Sequence, residues 1–129
     1  MKRVLAAVLT ILLLFAGCGG NSTKEQNSYR QITQKAAKEM MDTREVVILD
    51  VREQHEYDSG HIPGAVLLPV GTITAETAAA VIDDPETTVL VYCRSGNRSK
   101  TASQTLVDLG YTQVYEFGGI NEWPYEVEF

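Results

Sequence analysis

The sequence predicts an α/β domain with a mainly parallel central sheet and helices on both faces, and three observations carry that expectation. Val46-Val47-Ile48-Leu49 and the run from Thr87 to Tyr92 are continuous rather than alternating segments, the pattern of strands covered on both sides in a parallel sheet. Segments with helical spacing and helix start signals lie between and after them, and strands alternating with helices pack as such a sheet. About 110 residues remain once the N-terminal leader is set aside, enough for one small domain and too few for two.

The elements follow in order. Thr33 is placed to cap a helix running to about Asp42, with Ala36, Ala37 and Met40 on one side and Ile32 set to staple against Ala37. Val46 to Leu49 forms a buried strand, and Glu53 to Asp58 a short helix stopped by Gly60. Ala65 to Leu68 is a short strand ended by Pro69. Thr74 caps a helix through Ile82 that carries Ala78, Ala79, Val81 and Ile82. Thr87 to Tyr92 is the second strong strand, and Cys93 follows it directly. Ala102, Leu106 and Leu109 recur at i, i+4 and i+7 in a helix from Ser99 to Leu109, closed by Gly110, and Val114-Tyr115 offers a further strand.

Ahead of these elements, Met1-Lys2-Arg3 is a basic start, and Val4 to Ala16 is apolar except for Thr10, the n-region and h-region of a secretory leader. Thirteen residues at 1.5 Å rise reach about 20 Å, short of the roughly 30 Å hydrocarbon core of a bilayer. The run ends in Leu14-Phe15-Ala16-Gly17-Cys18. This resembles the lipobox of bacterial lipoproteins, with Phe15 where that motif usually has Leu. The resemblance implies a signal peptide at 1–17, a lipid on Cys18, a flexible tether through residue 28 and a domain at 29–129. It also implies an exported protein held to a membrane by its lipid, facing the periplasm or cell exterior. An ordinary signal peptide would end at an A-x-A site, which this stretch lacks. From Gly19 to Asn27 the chain is polar with no apolar period, a tether with an r.m.s. reach of roughly 17 to 19 Å.

Lys and Arg number 11 against 17 Asp and Glu, and loss of Lys2 and Arg3 with the leader leaves 9 basic side chains and a net charge of −8. An acidic surface argues against nucleic-acid binding and against attraction to anionic headgroups. With Cys18 taken by lipid, Cys93 is the single remaining thiol and no intramolecular disulfide can form. An unpaired cysteine in an exported chain flags a reactive thiol or an intermolecular bond.

Cys93-Arg94-Ser95-Gly96-Asn97-Arg98 lies between that strand and helix, at the carboxyl edge of the sheet where ligands of such folds bind. A loop this short, with a glycine able to take positive φ, can curl its backbone N–H groups inward as an anion nest. The following helix adds its N-terminal partial positive charge. Such donors stabilise a thiolate, the nucleophilic form of cysteine. Arg94 and Arg98 add cationic charge, and either could instead face solvent or pair with an acid such as Asp50. Asp50-Val51-Arg52 falls at the same sheet edge.

The stretches "ILDVREQHEYDSGHIPGA", "VYCRSGNRS" and "FGGINEW" resemble, in order and spacing, the successive motifs of rhodanese-like domains over about Ile32 to Trp123. The resemblance implies a small three-layer α/β sandwich in which Cys93 carries a persulfide. Sulfur would pass from a donor such as thiosulfate to a thiophilic acceptor, a thiol, cyanide or a protein. Cys93 is then the nucleophile. The backbone N–H groups of Arg94, Ser95, Gly96, Asn97 and Arg98 hold the transferred sulfur and the anionic donor. Arg98 is the side-chain contact for the donor's oxyanion, and Asp50 and Arg52 shape the pocket rim. No metal or organic cofactor is required.

A persulfide carrier or binding module that works with a protein partner would need the same cradle. Phosphatase or arsenate-reductase chemistry is disfavoured: related phosphatases use C-x5-R, whereas here Arg98 completes C-x4-R, Ser99 takes the next position, and Tyr92 stands where the phosphatase signature has histidine. His55 reads as a solvated helix residue and His61 as a loop-ordering one. A zinc site from Cys93, His55 and His61 lacks ligand-pair spacing. Gly118-Gly119 reads as a turn or tight packing, and Trp123 and Tyr125 as packing residues.

Overall fold

The computed structural model describes residues 28–129. The signal peptide expected at 1–17, Cys18 and the expected tether as far as residue 27 lie outside the described residues. Five parallel strands, β1 (Arg30–Gln31), β2 (Val47–Asp50), β3 (Val66–Leu67), β4 (Thr88–Cys93) and β5 (Gln113–Gly119), form one sheet in the order β1-β5-β4-β2-β3. Four helices, α1 (Gln34–Thr43), α2 (Gln54–Asp58), α3 (Ala75–Val81) and α4 (Asn97–Asp108), connect them.

Side chains alternate across a strand, and β4 shows what each face meets. Val89, Val91 and Cys93 join Leu49, Ala78, Ile82, Ala102 and Leu106, while Leu90 and Tyr92 join Ala37, Ile48, Ile62 and Phe117. So α3 and α4 cover one face and α1 the other, the three-layer sandwich expected. Residues on β4 from Val89 to Tyr92 have no exposure, which is why this strand reads as an unbroken apolar run rather than an alternating one.

Helix starts follow the capping residues. Thr33 Oγ accepts the Ala36 amide at 3.0 Å, Thr74 and Thr77 form a reciprocal box, and Glu53 and Glu56 form another at α2, each satisfying amides that have no helical partner. Ile32 packs against the cluster holding Ala37, as the staple requires.

Three elements differ from expectation. α4 begins at Asn97, two residues early, because Gly96 adopts φ 111° and serves as its N-cap. Its buried stripe is Ser99, Ala102, Ser103 and Leu106, whereas Leu109 sits at the C-cap and is 39% exposed. β5 is seven residues long, because it is bonded to β4 on one side and β1 on the other. β1 itself has two exposed polar residues and no apolar signal.

Candidate active site

β4 ends at Cys93, three residues turn the chain, and α4 starts at Asn97. Gly96 makes the turn, since φ 111° is a backbone region that side-chain-bearing residues rarely enter. The Gly96 amide then points at Cys93 Sγ from 3.1 Å and the Ser99 amide from 3.3 Å. Cys93 is 1% exposed, while Arg94, Ser95 and Asn97 of the loop are exposed. Two amides at the start of α4 therefore aim at one sulfur, an arrangement that suits negative charge developing on that sulfur or on an atom bonded to it. Of the sulfur-directed amides, Gly96 lies inside the Arg94–Arg98 span expected from sequence and Ser99 one residue beyond it.

The loop stands on β5. Between Val91 and Cys93, β4 advances two residues while β5 advances from Glu116 to Gly119, a bulge that brings Gly119 beneath the loop. A side-chain carbon at Gly119 would overlap the Arg94 carbonyl and come within 2.6 Å of the Ser95 nitrogen. The same carbonyl accepts the Asn121 amide at 3.1 Å. The double glycine is thus a tight-packing feature, as the sequence suggests, and its position beneath the Cys93 loop comes from the fold.

The two loop arginines do different things. Arg98 forms a two-pronged pair with Glu56 of α2, Nη1 to Oε1 at 2.8 Å and Nη2 to Oε2 at 3.0 Å, so its guanidinium is engaged with α2. That bond, with further help from the Glu53 amide, outweighs burial and holds the Glu56 carboxyl at about 2; the pairing raises Arg98 in turn. Arg94 is exposed and has no side-chain hydrogen bond among the described residues. It borders a cleft of about 450 Å³ with Arg52, His55, Glu56 and Asn121. Arg94 is thus the loop arginine whose guanidinium has no side-chain partner among the described residues.

Asp50 and Arg52 sit at the expected sheet edge, but Asp50 lies on the other face from Cys93. It shares that face with Tyr92, is fully buried, and accepts Arg52 Nη2 at 2.7 Å and the Tyr92 hydroxyl at 2.6 Å. Burial works against charge on Arg52, yet Asp50 more than compensates and raises it; burial and then Asp50 push the Tyr92 phenol far above its ordinary range. Arg52 also donates to the Gly60 carbonyl at 2.8 Å and lines the cleft. The pair braces the cleft floor: Arg52 reaches the rim and Asp50 anchors it from beneath.

His55 is exposed at the cleft. His61 stacks on Tyr57 at 3.8 Å and contacts the Tyr57 carbonyl and Glu128, ordering the loop as its sequence context suggests. Trp123 packs on Phe117 at 5.7 Å and donates to the Glu126 carbonyl.

Three residues of the site have roles that no local sequence pattern marked. Glu56 clamps Arg98. Ser99 Oγ lies 3.4 Å from Cys93 Sγ and 2.5 Å from Glu116 Oε2. Glu116 is 2% exposed on the same sheet face as Val114. A charged residue at an inward position of "VYEF" was the signal available for it.

Comparison with known proteins agrees with this architecture. The model of the rhodanese-like domain matches residues 33–125. Thiosulfate sulfurtransferase GlpE of Coxiella burnetii is 38% identical over 96 residues, 74% of this chain and 87% of the relative. Putative sulfur carrier protein YrkF of Bacillus subtilis is 33% identical over 112 residues, 85% of this chain and 59% of the relative. Among solved structures, a rhodanese with anions from E. coli superposes with a TM-score of 0.61 at 31% identity, covering 65% of this chain and 98% of that one. A sheet that carries a cysteine at the end of its central strand, a loop bound beneath by a double glycine, and a family match over most of the described residues place this chain in the rhodanese-like domain family.

Proposed function

We propose that the protein is a sulfurtransferase that moves sulfane sulfur from thiosulfate or a similar donor to a thiophilic acceptor through a persulfide on Cys93. The observation that carries this reading is the pair of amides, Gly96 and Ser99, directed at a sulfur at the base of a four-residue-spaced loop. Cys93 attacks the outer sulfur of the donor, sulfite departs, and the loop amides hold the persulfide until an acceptor removes the terminal sulfur. A cradle this closed admits a single terminal atom more readily than a phosphoryl group. Arg94 at the cleft mouth receives the donor's sulfonate oxygens.

Cys93→Ser is expected to abolish thiosulfate:cyanide transfer with its circular dichroism spectrum unchanged; transfer retained by that variant would sink the assignment. Arg94→Ala is expected to raise KM for thiosulfate about tenfold, the worth of one charge-assisted contact near 1.4 kcal/mol, with kcat little changed.

A second reading, a persulfide carrier that serves a protein acceptor, is favoured by the relative named a putative sulfur carrier. Steady-state turnover with small donors and acceptors supports the enzyme, whereas transfer seen only with a protein partner supports the carrier. We also propose export and lipid anchoring at Cys18, on the strength of the leader and the lipobox-like Leu14 to Cys18. Cys18→Ser is expected to move the protein from the membrane fraction to the soluble fraction, and an unchanged distribution rejects the anchor.

A further inference from the structure

From the cysteine a chain of hydrogen bonds leads through Ser99 to Glu116. Cys93 Sγ lies 3.4 Å from Ser99 Oγ, and Ser99 Oγ lies 2.5 Å from Glu116 Oε2. An ionised carboxylate only accepts hydrogen bonds, and 2.5 Å is the short end of hydroxyl-to-carboxylate contacts. The single hydroxyl proton of Ser99 therefore sits toward Glu116; a competing acceptor, the Gly118 carbonyl, is 3.5 Å away. Ser99 then presents a lone pair to Cys93, and the thiol donates to it.

Glu116 also accepts the Gly118 amide at 3.0 Å and Gln31 Nε2 at 3.3 Å, yet no cation lies within ion-pair distance of it among the described residues. A carboxylate in hydrogen-bond contact with Ser99 Oγ is placed to take up a proton that arrives through that hydroxyl. Glu116, itself 2% exposed, borders a groove of about 260 Å³ with Gln31, Gln34, Lys100 and Glu122, which the loop residues Ser95 and Gly96 also line. The charged groups bordering that groove are Lys100 of α4 and Glu122 of the turn after β5, beside the amides of Gln31 on β1 and Gln34 on α1, and Arg98 of α4, paired with Glu56 of α2, lies within electrostatic reach of Cys93.

We infer that Glu116, acting through Ser99, stores the Cys93 proton during sulfur transfer, an inference that rests on the persulfide reading above. In the first half-reaction the Sγ–H bond breaks and its proton passes to Ser99 Oγ, while the proton Ser99 already carries passes to Glu116 Oε2. Sγ uses the freed electron pair to bond the outer sulfur of thiosulfate. The bond from that sulfur to the sulfite sulfur breaks, and its pair leaves with sulfite. The products are a persulfide anion, sulfite and a neutral Glu116. In the second half-reaction the acceptor bonds the terminal sulfur, Sγ leaves with the electron pair, and the proton returns through Ser99. The pair carries one negative charge throughout. Ser99 touches the reacting sulfur; Glu116 acts at one remove, directing the hydroxyl and holding the proton.

The test compares wild type, Glu116→Gln and Ser99→Ala by two single-turnover reactions against pH: persulfidation by thiosulfate, read as the mass of one sulfur on Cys93, and alkylation of Cys93 by iodoacetamide. With a shared internal proton, the wild-type rate is flat with pH over a range in which each variant, losing its thiol proton to solvent, rises about tenfold per pH unit. One common limb for all three proteins, or a loss of equal size at every pH, overturns the relay. If neither variant folds, the wild-type profile decides, and a tenfold rise per unit across the whole range overturns it. A persulfide that forms with one common limb rejects the relay alone; relay-like alkylation without any persulfide rejects the sulfurtransferase reading alone.

Discussion

Gly119 determines how low the active-site loop can sit, because the Arg94 carbonyl occupies the space a side chain would need. Gly119→Ala is expected to destabilise the fold by about 3 kcal/mol, at the upper end for forcing one extra carbon into packed backbone. It is also expected to lower transfer at least as strongly as any single loop side chain, by lifting the Gly96 amide off Cys93. Thermal melting and single-turnover persulfidation read the two effects, and wild-type values for both would show that the loop does not depend on this contact. At this scale Cys93 was legible in the sequence because its neighbours are chemical signals: arginines, a glycine and a helix start. The duties of the two arginines were not, since Glu56 lies 42 residues from Arg98 in sequence and nothing local announces the pairing. Asp50 shows the opposite limit. Its place at the sheet edge was readable, but strand alternation puts its side chain on the Tyr92 face.

At the scale of elements, α4 carries the site and an imperfection. Ser103 Oγ is buried with no hydrogen-bond partner among the described residues, and an unsatisfied buried hydroxyl costs about 1 to 3 kcal/mol. Ser103→Ala is expected to stabilise the protein by about 1 kcal/mol without altering transfer; a lower melting temperature would mean that the hydroxyl has a partner in solution. The Glu56–Arg98 pair ties α2 to α4. The Glu56 carboxyl is held at about 2 against an ordinary 4.5, so the unfolded chain binds this proton more readily than the folded one. The pair's contribution is therefore fully present above about pH 4.5 and is lost as pH falls toward 2. Glu56→Gln is expected to cost about 1 kcal/mol near neutrality, the upper end for a partly exposed pair, and to remove this component of the acid-side decline. Denaturant melts at pH 7 and pH 3 check it, and an equal gap between variant and wild type at both would contradict it. The long central strands were readable because burial on both faces demands unbroken apolar runs. β1 was not, because its two exposed residues join the sheet through backbone bonds to β5, which leave no mark on side-chain pattern.

At the scale of the whole molecule, an acidic chain of net charge −6 is expected to repel an anionic donor, so the local field has to be inverted. Arg94 at the cleft, the N-terminus of α4 and the sulfur-directed amides do this within a few residues of one another. The layering explains how: parallel strands end at a common edge, and the loop after the most buried strand opens there. The order of motifs along the chain was enough to identify this architecture from sequence, whereas the bulge between β4 and β5 that brings Glu116 and Gly119 under the loop depends on register and was not. The most direct test of the central claim is a mass spectrum of the protein after reaction with thiosulfate. The expected result is a gain of one sulfur atom located on Cys93, lost on addition of cyanide and absent from Cys93→Ser. A Cys93 that alkylates readily with iodoacetamide yet gains no sulfur would contradict it.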